Sequence, residues 1–332
     1  MKEVLLGKTL TELKEVAQGV GLPSFAGKQL AQWLYVHRVT SFEQMTNISL
    51  KGREALQAKY CIGRNEPVRE AISIDGTRKY LFPIGDQYVE AVYIPDDDRA
   101  TLCISTQIGC KMGCRFCMTG TLGFHGHLSA AEILNQVLTF DDLTNVVLMG
   151  EGEPMDNIDH VLRALEILTA EYGCGWSPKR ITVSTVGIPA MKRYIEGSEC
   201  HLAVSLHNPF GAEREQIMPA EKLFHATDVI ALLRDYDWSH QRRVSFEYIC
   251  WHGVNDTPRH AKELVRLLKG LPCRINLIRF HAGVDREFPA SDEATMVWLR
   301  DYLTDNGITT TIRRSRGEDI LAACGMLVAQ QG

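Results

Sequence analysis

The sequence predicts an α/β protein: a partial (β/α)6 barrel preceded by a small helical domain and a β-rich extension. Three observations carry this reading. From about residue 100, short β-type apolar runs alternate with segments of helical period. Residues 65–98 hold three β-type runs separated by turn dipeptides, and residues 1–60 show helical spacing only. The expected boundaries are 1–62, 63–98 and 99–332, which suits a chain of 332 residues with room for one large domain and a smaller one.

In the first segment Leu10, Leu13, Val16 and Ala17 form one apolar stripe and Leu30, Trp33 and Leu34 a second. Gly21, Pro23 and Gly27 break the chain between them, and Ser49 is placed to cap a third helix ending near Tyr60. Trp33 and Phe42 read as core. Residues 1–60 carry eight Lys/Arg against five Asp/Glu, whereas the whole chain is −5, leaving −8 for the remainder. A basic module on an acidic body suits contact with a polyanion, with Lys28, Lys51 and Arg53 as candidate phosphate contacts. On charge alone, an ordinary solvated face fits as well.

The extension reads as Val68–Ile74 and Thr77–Pro83 around an Asp75-Gly76 turn, then Gly85-Asp86 before Tyr88–Ile94. The barrel strands are expected at Ala100–Ser105, Asn145–Met149, Arg180–Ser184, His201–Leu206, Val244–Ile249 and Arg274–Ile278. Helices begin at Ser129, where Glu132 completes a capping box, and cover Ile158–Leu168 and the regions 189–196, 224–235 and 258–269. Thr257-Pro258 reads as a cap and first-turn pair. Strands joined by crossover helices run parallel, and right-handed crossovers curl the sheet toward a barrel.

Composition excludes several classes. Hydrophobic residues make up 45% and charged residues 23%, ordinary for a soluble protein. No apolar run approaches the roughly 18–20 residues that span a bilayer, and the N-terminal apolar run is too short for a signal peptide. The expectation is a cytoplasmic protein with no membrane partner. Its ten cysteines then read as thiols or ligands more readily than as structural disulfides.

The sharpest feature is Gln107–Gly120, where Cys110, Cys114 and Cys117 stand at C-x3-C-x2-C among Gly109, Gly113 and Gly120. Three readings compete: unrelated buried cysteines, structural zinc, or an iron–sulfur cluster. Zinc normally takes four ligands in paired cysteines, and no second pair lies nearby. Thiolates holding a cluster fit best, and the spacing differs from that of the ferredoxins. Three ligands leave one coordination position for chemistry. In a parallel barrel the functional groups sit at the C-terminal strand ends. Gly150-Glu151-Gly152-Glu153-Pro154, Ser184, Ser205-Leu206-His207 and His281 all fall there. Cys103 and Cys324, by composition alone, read as buried inert thiols.

The motif with Phe116 before the third cysteine resembles the signature of the radical S-adenosylmethionine (SAM) enzymes, which share a six-unit partial barrel. In that superfamily the three cysteines hold three irons of a 4Fe–4S cluster. The fourth iron chelates SAM, which is cleaved to a 5′-deoxyadenosyl radical. Gly-x-Gly-Glu-Pro, with Gly152 and Glu153, resembles the segment that meets the aminoacyl end of SAM. The tail Arg316–Gly325 is similar to R-G-x-D-I-x-A-A-C-G of the RlmN-like adenine-C2 methyltransferases. Met45–Asn47, Tyr93–Cys103, Ser-Leu-His and Asn-Leu-Ile extend the likeness over essentially the whole chain.

The resemblance implies an RNA methyltransferase using two SAM molecules per turnover. One methylates Cys324. The other yields the radical that takes hydrogen from the S-methyl group, and the resulting methylene radical joins adenine C2. Cys103 then releases the product by forming a Cys103–Cys324 disulfide, with Glu90 as the base. The implied substrates are 23S ribosomal RNA near the peptidyl-transferase centre and adenosine 37 of certain transfer RNAs, with an external electron donor. Ser184, Ser205, Leu206, His207 and His281 are the implied cofactor contacts, although the family often carries Asn at the position of His281. The Cfr-like adenine-C8 methyltransferases share much of this pattern, and a non-enzymatic RNA-binding iron–sulfur protein is the remaining alternative.

Overall fold

A computed structural model describes residues 2–238, 243–281 and 288–328. Its body is one ten-stranded sheet whose strands lie side by side in sequence order. The first three are β1 (Arg69–Ile72), β2 (Arg78–Ile84) and β3 (Gln87–Asp96), an antiparallel meander. Asp75 accepts the backbone N–H of Thr77 at 2.9 Å, which fixes the turn between β1 and β2. β4 (Arg99–Cys103) pairs antiparallel with β3 and parallel with β5 (Asn145–Leu148), so it joins the extension to the barrel. The parallel series continues through β6 (Ile181–Thr185), β7 (His201–Ser205), β8 (Val244–Cys250), β9 (Cys273–Arg279) and β10 (Thr309–Ile312).

The expected α/β architecture is present, with one strand more than the six that the sequence suggests. β10 and the helix before it, Glu293–Asp305, were not anticipated. β10 is a short Thr-rich run that alternates between exposed and covered positions, and so carries no apolar signal of its own.

Helices cover the outer face. Residues Ala130–Leu138 follow the expected Ser129/Glu132 capping box, and Ile158–Thr169 buries Ile158, Val161, Ala164, Leu165, Ile167 and Leu168. Pro258 takes the first turn of Pro258–Leu268 as expected, but the Thr257 hydroxyl turns to His260 Nδ1 at 2.7 Å and makes no side-chain cap.

The N-terminal helices are Leu10–Gly19, Ala26–Ala31 and Leu50–Lys59, the last capped by Ser49. Phe42 is buried, whereas Trp33 is only partly covered, its ring tilted against His37 and its Nε1 donating to Asn47 Oδ1 at 2.6 Å. Arg163 grips Glu12 at 2.7 and 2.8 Å, and Arg38 reaches the Phe140 carbonyl, so these helices are docked on the body. Among the described residues no helix is long and apolar enough to cross a membrane.

The tail after β10 crosses back to the meander. Arg316 pairs with Asp96 at 3.0 Å, the Gly317 N–H reaches Asp75 at 3.0 Å, and Asp319 accepts from Ser73 and from the Ile74 N–H. The two ends of the open sheet are thereby bridged over the strand C-termini.

Candidate active site at the C-terminal strand ends

The bridge covers a cavity of about 200 Å³. Its wall includes Cys103, Cys110, Cys114, Cys117, Gly152, Glu153, Ser184, Ser205, His207 and Cys324. Glu90, Leu206 and His281 lie outside that wall.

The cysteine loop leaves β4 through Gln107–Gly109, which pairs antiparallel with Phe124–His127 and brackets all three cysteines. Gly109 has φ 68, and a Cβ there would sit 1.9 Å from the Gly123 carbonyl, so no other residue fits. The buried Gln107 ties this loop to the Gly-Glu-Gly-Glu-Pro segment. Its Oε1 accepts the Glu153 N–H at 2.8 Å and its Nε2 donates to Asp156 at 2.7 Å. Gly152, at φ 95, allows the close approach, since a Cβ would meet the Gln107 side chain at 2.5 Å.

Among the described residues no three His, Cys, Asp or Glu side chains converge on one point as ligands of a single ion. Thiolates that each hold a different iron of a cluster need not converge. The donor set fits a cluster chemically. Burial pushes the Cys110 thiol up to about 12, Cys114 well above its ordinary value and Cys117 upward, with neighbouring negative charges adding to the shift. Bare thiolates there would be costly, and cationic irons offset that cost.

Glu153 is 3% exposed, and it accepts the Met155 N–H at 3.0 Å and the Val186 N–H at 2.9 Å. Burial raises its carboxyl to about 7 against the pull of Thr185 and these amides. An ammonium arriving from the cavity would find a carboxylate with its position fixed and its charge in need of a partner. Ser184 and Ser205 end adjacent strands on the same wall.

His207 is held at φ 53, a left-handed conformation rare for a residue with a side chain. Asn255 pins its carbonyl at 2.6 Å, and its Nδ1 accepts the Ile249 N–H at 3.1 Å. Burial, aided by Arg214, lowers its pKa to about 3, so the ring is neutral with the proton on Nε2. Phe116 stands edge-on to it at 4.9 Å.

Leu206 backs the wall through its main chain, donating to Glu247 at 3.1 Å and accepting from Arg214 at 3.0 Å. His281 is turned to the tail, within 2.6 Å of Ser315 Oγ and 3.4 Å of Glu318.

Cys103 and Cys324 meet at the other side. Val92 is the register partner of Cys103, so Glu90, two residues earlier, shares the face of Cys103. The tail is stitched onto this face: the Met118 N–H donates to the Gly325 carbonyl at 2.8 Å, Thr119 Oγ1 to the Leu327 carbonyl at 2.8 Å, and the Val328 N–H to Glu90 at 2.9 Å. Ala322 and Leu327 pack on Val92. Lys79 holds the other Glu90 oxygen at 2.9 Å, yet burial still raises that carboxyl. Cys324 is exposed to the open space, and all ten cysteines are free thiols. No resting disulfide joins Cys103 to Cys324.

Arg214 and Glu247 escape sequence reading, and Glu151 reads only as part of the Gly-Glu-Gly-Glu-Pro segment. Arg214, 1% exposed, pairs with Glu221 and donates to the carbonyls of Val186 and Ser205, fixing two strand ends. Removing one partner of such a buried pair costs about 3–5 kcal/mol, which makes it a scaffold element. Glu151 fills the gap where β4 leaves the sheet, accepting the Glu90 N–H at 2.8 Å, and burial raises it to about 8. Glu247 faces the cavity from β8 and binds Arg313 at 3.2 Å. A glutamate inside the apolar run Val244–Ile249 was the available signal for it.

The radical SAM superfamily profile matches residues 104–268, and that of a ribosomal RNA large subunit methyltransferase N-terminal domain matches residues 4–62. The chain is 59% identical over 333 residues to the probable dual-specificity RNA methyltransferase RlmN of Bacteroides fragilis, covering 98% of this chain and 96% of that one. It is 40% identical over 333 residues to the dual-specificity RNA methyltransferase RlmN of Syntrophobacter fumaroxidans, covering 98% and 97%. The crystal structure of a radical SAM methyltransferase from Sphaerobacter thermophilus superposes with a TM-score of 0.92 at 37% identity, covering 99% of this chain and 100% of that one.

Fold, cysteine loop and these likenesses define a radical SAM enzyme, with SAM and a 4Fe–4S cluster as the cofactors that class implies. Within that class the chain belongs to the RlmN family of RNA methyltransferases.

Proposed function

We propose that this enzyme methylates C2 of adenosine in 23S ribosomal RNA at the peptidyl-transferase centre, and adenosine 37 of certain transfer RNAs. The observation that carries the reading is that Cys103 and Cys324 line the cavity that also holds Cys110, Cys114 and Cys117. An RNA-binding iron–sulfur protein needs neither of the first two. The designation of the relatives as dual-specificity RNA methyltransferases supports two RNA substrates. Substrates of this kind suit an enzyme of the cytoplasm.

Cys110, Cys114 and Cys117 would hold the cluster, and Gly152, Glu153, Ser184, Ser205 and His207 would surround SAM, with Leu206 backing them through its main chain and His281 set away toward the tail. Glu153 offers a fixed carboxylate to an ammonium, and neutral His207 offers an N–H donor. When bound, the cluster and SAM supply a 5′-deoxyadenosyl radical, with the electron drawn from an external donor. Adenine C2 is not nucleophilic, which closes the polar route to methylation.

The chain's own residues divide the remaining work. Cys324 carries the methyl group as a thioether, which accounts for one of the two SAM molecules used per turnover. Glu90 takes the proton that leaves C2 once carbon is joined to the base. The Cys103 thiolate attacks the Cys324 sulfur, the sulfur–carbon bond breaks with its electron pair left on the carbon, that carbon takes up a proton to become the methyl group, and a transient Cys103–Cys324 disulfide is left for reduction. The N-terminal helices hold the RNA backbone, and the target base must be unstacked to enter the cavity.

Cluster-loaded protein given SAM without RNA is expected to gain one methyl group on Cys324, located by peptide mass. Nucleosides from treated RNA should then contain 2-methyladenosine. A product of 8-methyladenosine would assign the C8 reaction instead. Methylated RNA from protein whose Cys324 never gains a methyl group would refute the carrier role.

A further inference from the structure

Two thiols of the cavity, one half-buried and one exposed, must each become a nucleophile at neutral pH, and desolvation inside the cavity opposes both. It pushes Cys103 up to about 12 and raises Cys324. The thiolate is the reactive form, so each sulfur needs a compensating charge. Among the described residues, Arg313 is the one Lys or Arg in the cavity wall.

Its position is built in. Arg313 immediately follows β10, and its N–H continues the ladder to the Leu277 carbonyl at 2.8 Å. The side chain crosses the barrel mouth, with Nη1 3.2 Å from Glu247 Oε2 and 3.8 Å from Met149 Sδ. Met149 follows β5 directly, and its backbone also contacts the Cys103 thiol. Glu247 is itself anchored by Asn276 Nδ2 at 2.7 Å, and Asn276 by Thr311 at 2.9 Å. A chain of polar contacts from β10 through β9 and β8 thus fixes one guanidinium in the cavity wall that Cys103 and Cys324 also line. Glu247 opposes the guanidinium at Cys324, but with the smaller effect of the two.

We propose that Arg313, oriented by Glu247, is the shared cation that stabilises the thiolates of both Cys324 and Cys103. It is a positioning residue, acting through the two sulfurs. The proposal rests on the reading above that these two thiols act in turn.

The test is the rate at which iodoacetamide alkylates each thiol in cluster-loaded, reduced enzyme whose Cys324 is unmethylated, read by peptide mass. Arg313→Gln is expected to slow alkylation at both Cys103 and Cys324 by about tenfold, the effect of one unit in thiol pKa. Arg313→Lys, which keeps the charge, should stay within about twofold of the parent. Unchanged cluster absorbance and melting temperature would show the fold intact. Parental rates in Arg313→Gln, or equal slowing in the Gln and Lys variants, would overturn the proposal, the second outcome meaning that the side chain only packs. Alkylation does not depend on methyl transfer, so a failure of Cys324 to accept methyl from SAM would refute the carrier reading alone.

Discussion

The loop carrying Cys110, Cys114 and Cys117 and the tail carrying Cys324 contribute sulfur to one cavity by opposite means. The loop is local. Its three cysteines fall within eight residues, and a two-strand bracket with Gly109 at φ 68 shapes it. The tail has no regular structure at Cys324 and is placed by distant partners: Asp96, Asp75, Ser73, Glu90, Met118 and Thr119. Local geometry suits a fixed metal ligand. A carrier that must accept a methyl group, join a base and form a disulfide suits a segment held by many separable bonds.

The largest expected effect comes from cutting the chemistry on the tail side alone. Cys324→Ala should abolish RNA methylation while cluster absorbance stays intact. Cys103→Ala should leave RNA covalently attached to Cys324, seen as a band of raised mass on a denaturing gel. Clean turnover by Cys103→Ala would exclude it as the resolving thiol and erase the contrast between the two regions.

A smaller effect should come from the SAM side of the cavity. Burial raises the Glu153 carboxyl to about 7. Protonation removes the charge that meets an ammonium, so SAM affinity should fall as pH drops below about 7. Glu153→Gln should flatten that dependence, weakening binding above about pH 7 and approaching the parent in acid, measured by calorimetry on cluster-loaded protein. The sign for stability is the reverse. A carboxyl whose folded pKa lies above its unfolded value favours the fold most at acid pH, and that contribution is lost as pH rises from the unfolded value through about 7.

Loosening the tail should be milder still. Asp75 accepts the Gly317 N–H as well as that of Thr77. Asp75→Ala should speed hydrogen exchange of residues 317–328 and lower turnover several-fold, leaving exchange in the cysteine loop unchanged. Equal loosening of both regions would show that they are not independently held. The smallest effect belongs to the N-terminal surface. Lys28 and Lys51 are exposed, and replacing either with Ala should reduce the salt dependence of RNA binding by about one counterion. Arg53 differs, because it already donates to the Glu43 carbonyl at 2.7 Å.

The same contrast explains what was legible in the sequence. The barrel strands and the cysteine loop are written in short windows, as apolar runs or spaced ligands. Thr309–Ile312 is not, because its alternating Thr side chains depend on β9 for their partner. The presence of Cys103 and Cys324 in one cavity follows from tail contacts more than two hundred residues apart in sequence, such as Val328 to Glu90. No local pattern encodes that, and only the family resemblance suggested it. Glu151 and Arg214 act through backbone groups at strand ends, which sequence periodicity does not report. His281 was expected at the cavity but faces Ser315 and Glu318, because the tail passes beside it.

The central claim is that the methyl group reaches RNA through Cys324. It is tested most directly by supplying SAM with a deuterated methyl group to the cluster-loaded enzyme, then adding RNA and reductant with unlabelled SAM in excess. The account predicts label on Cys324 before RNA is added, and label in the first 2-methyladenosine formed. Label on Cys324 that never passes to RNA, or a first product carrying only unlabelled methyl, would contradict it.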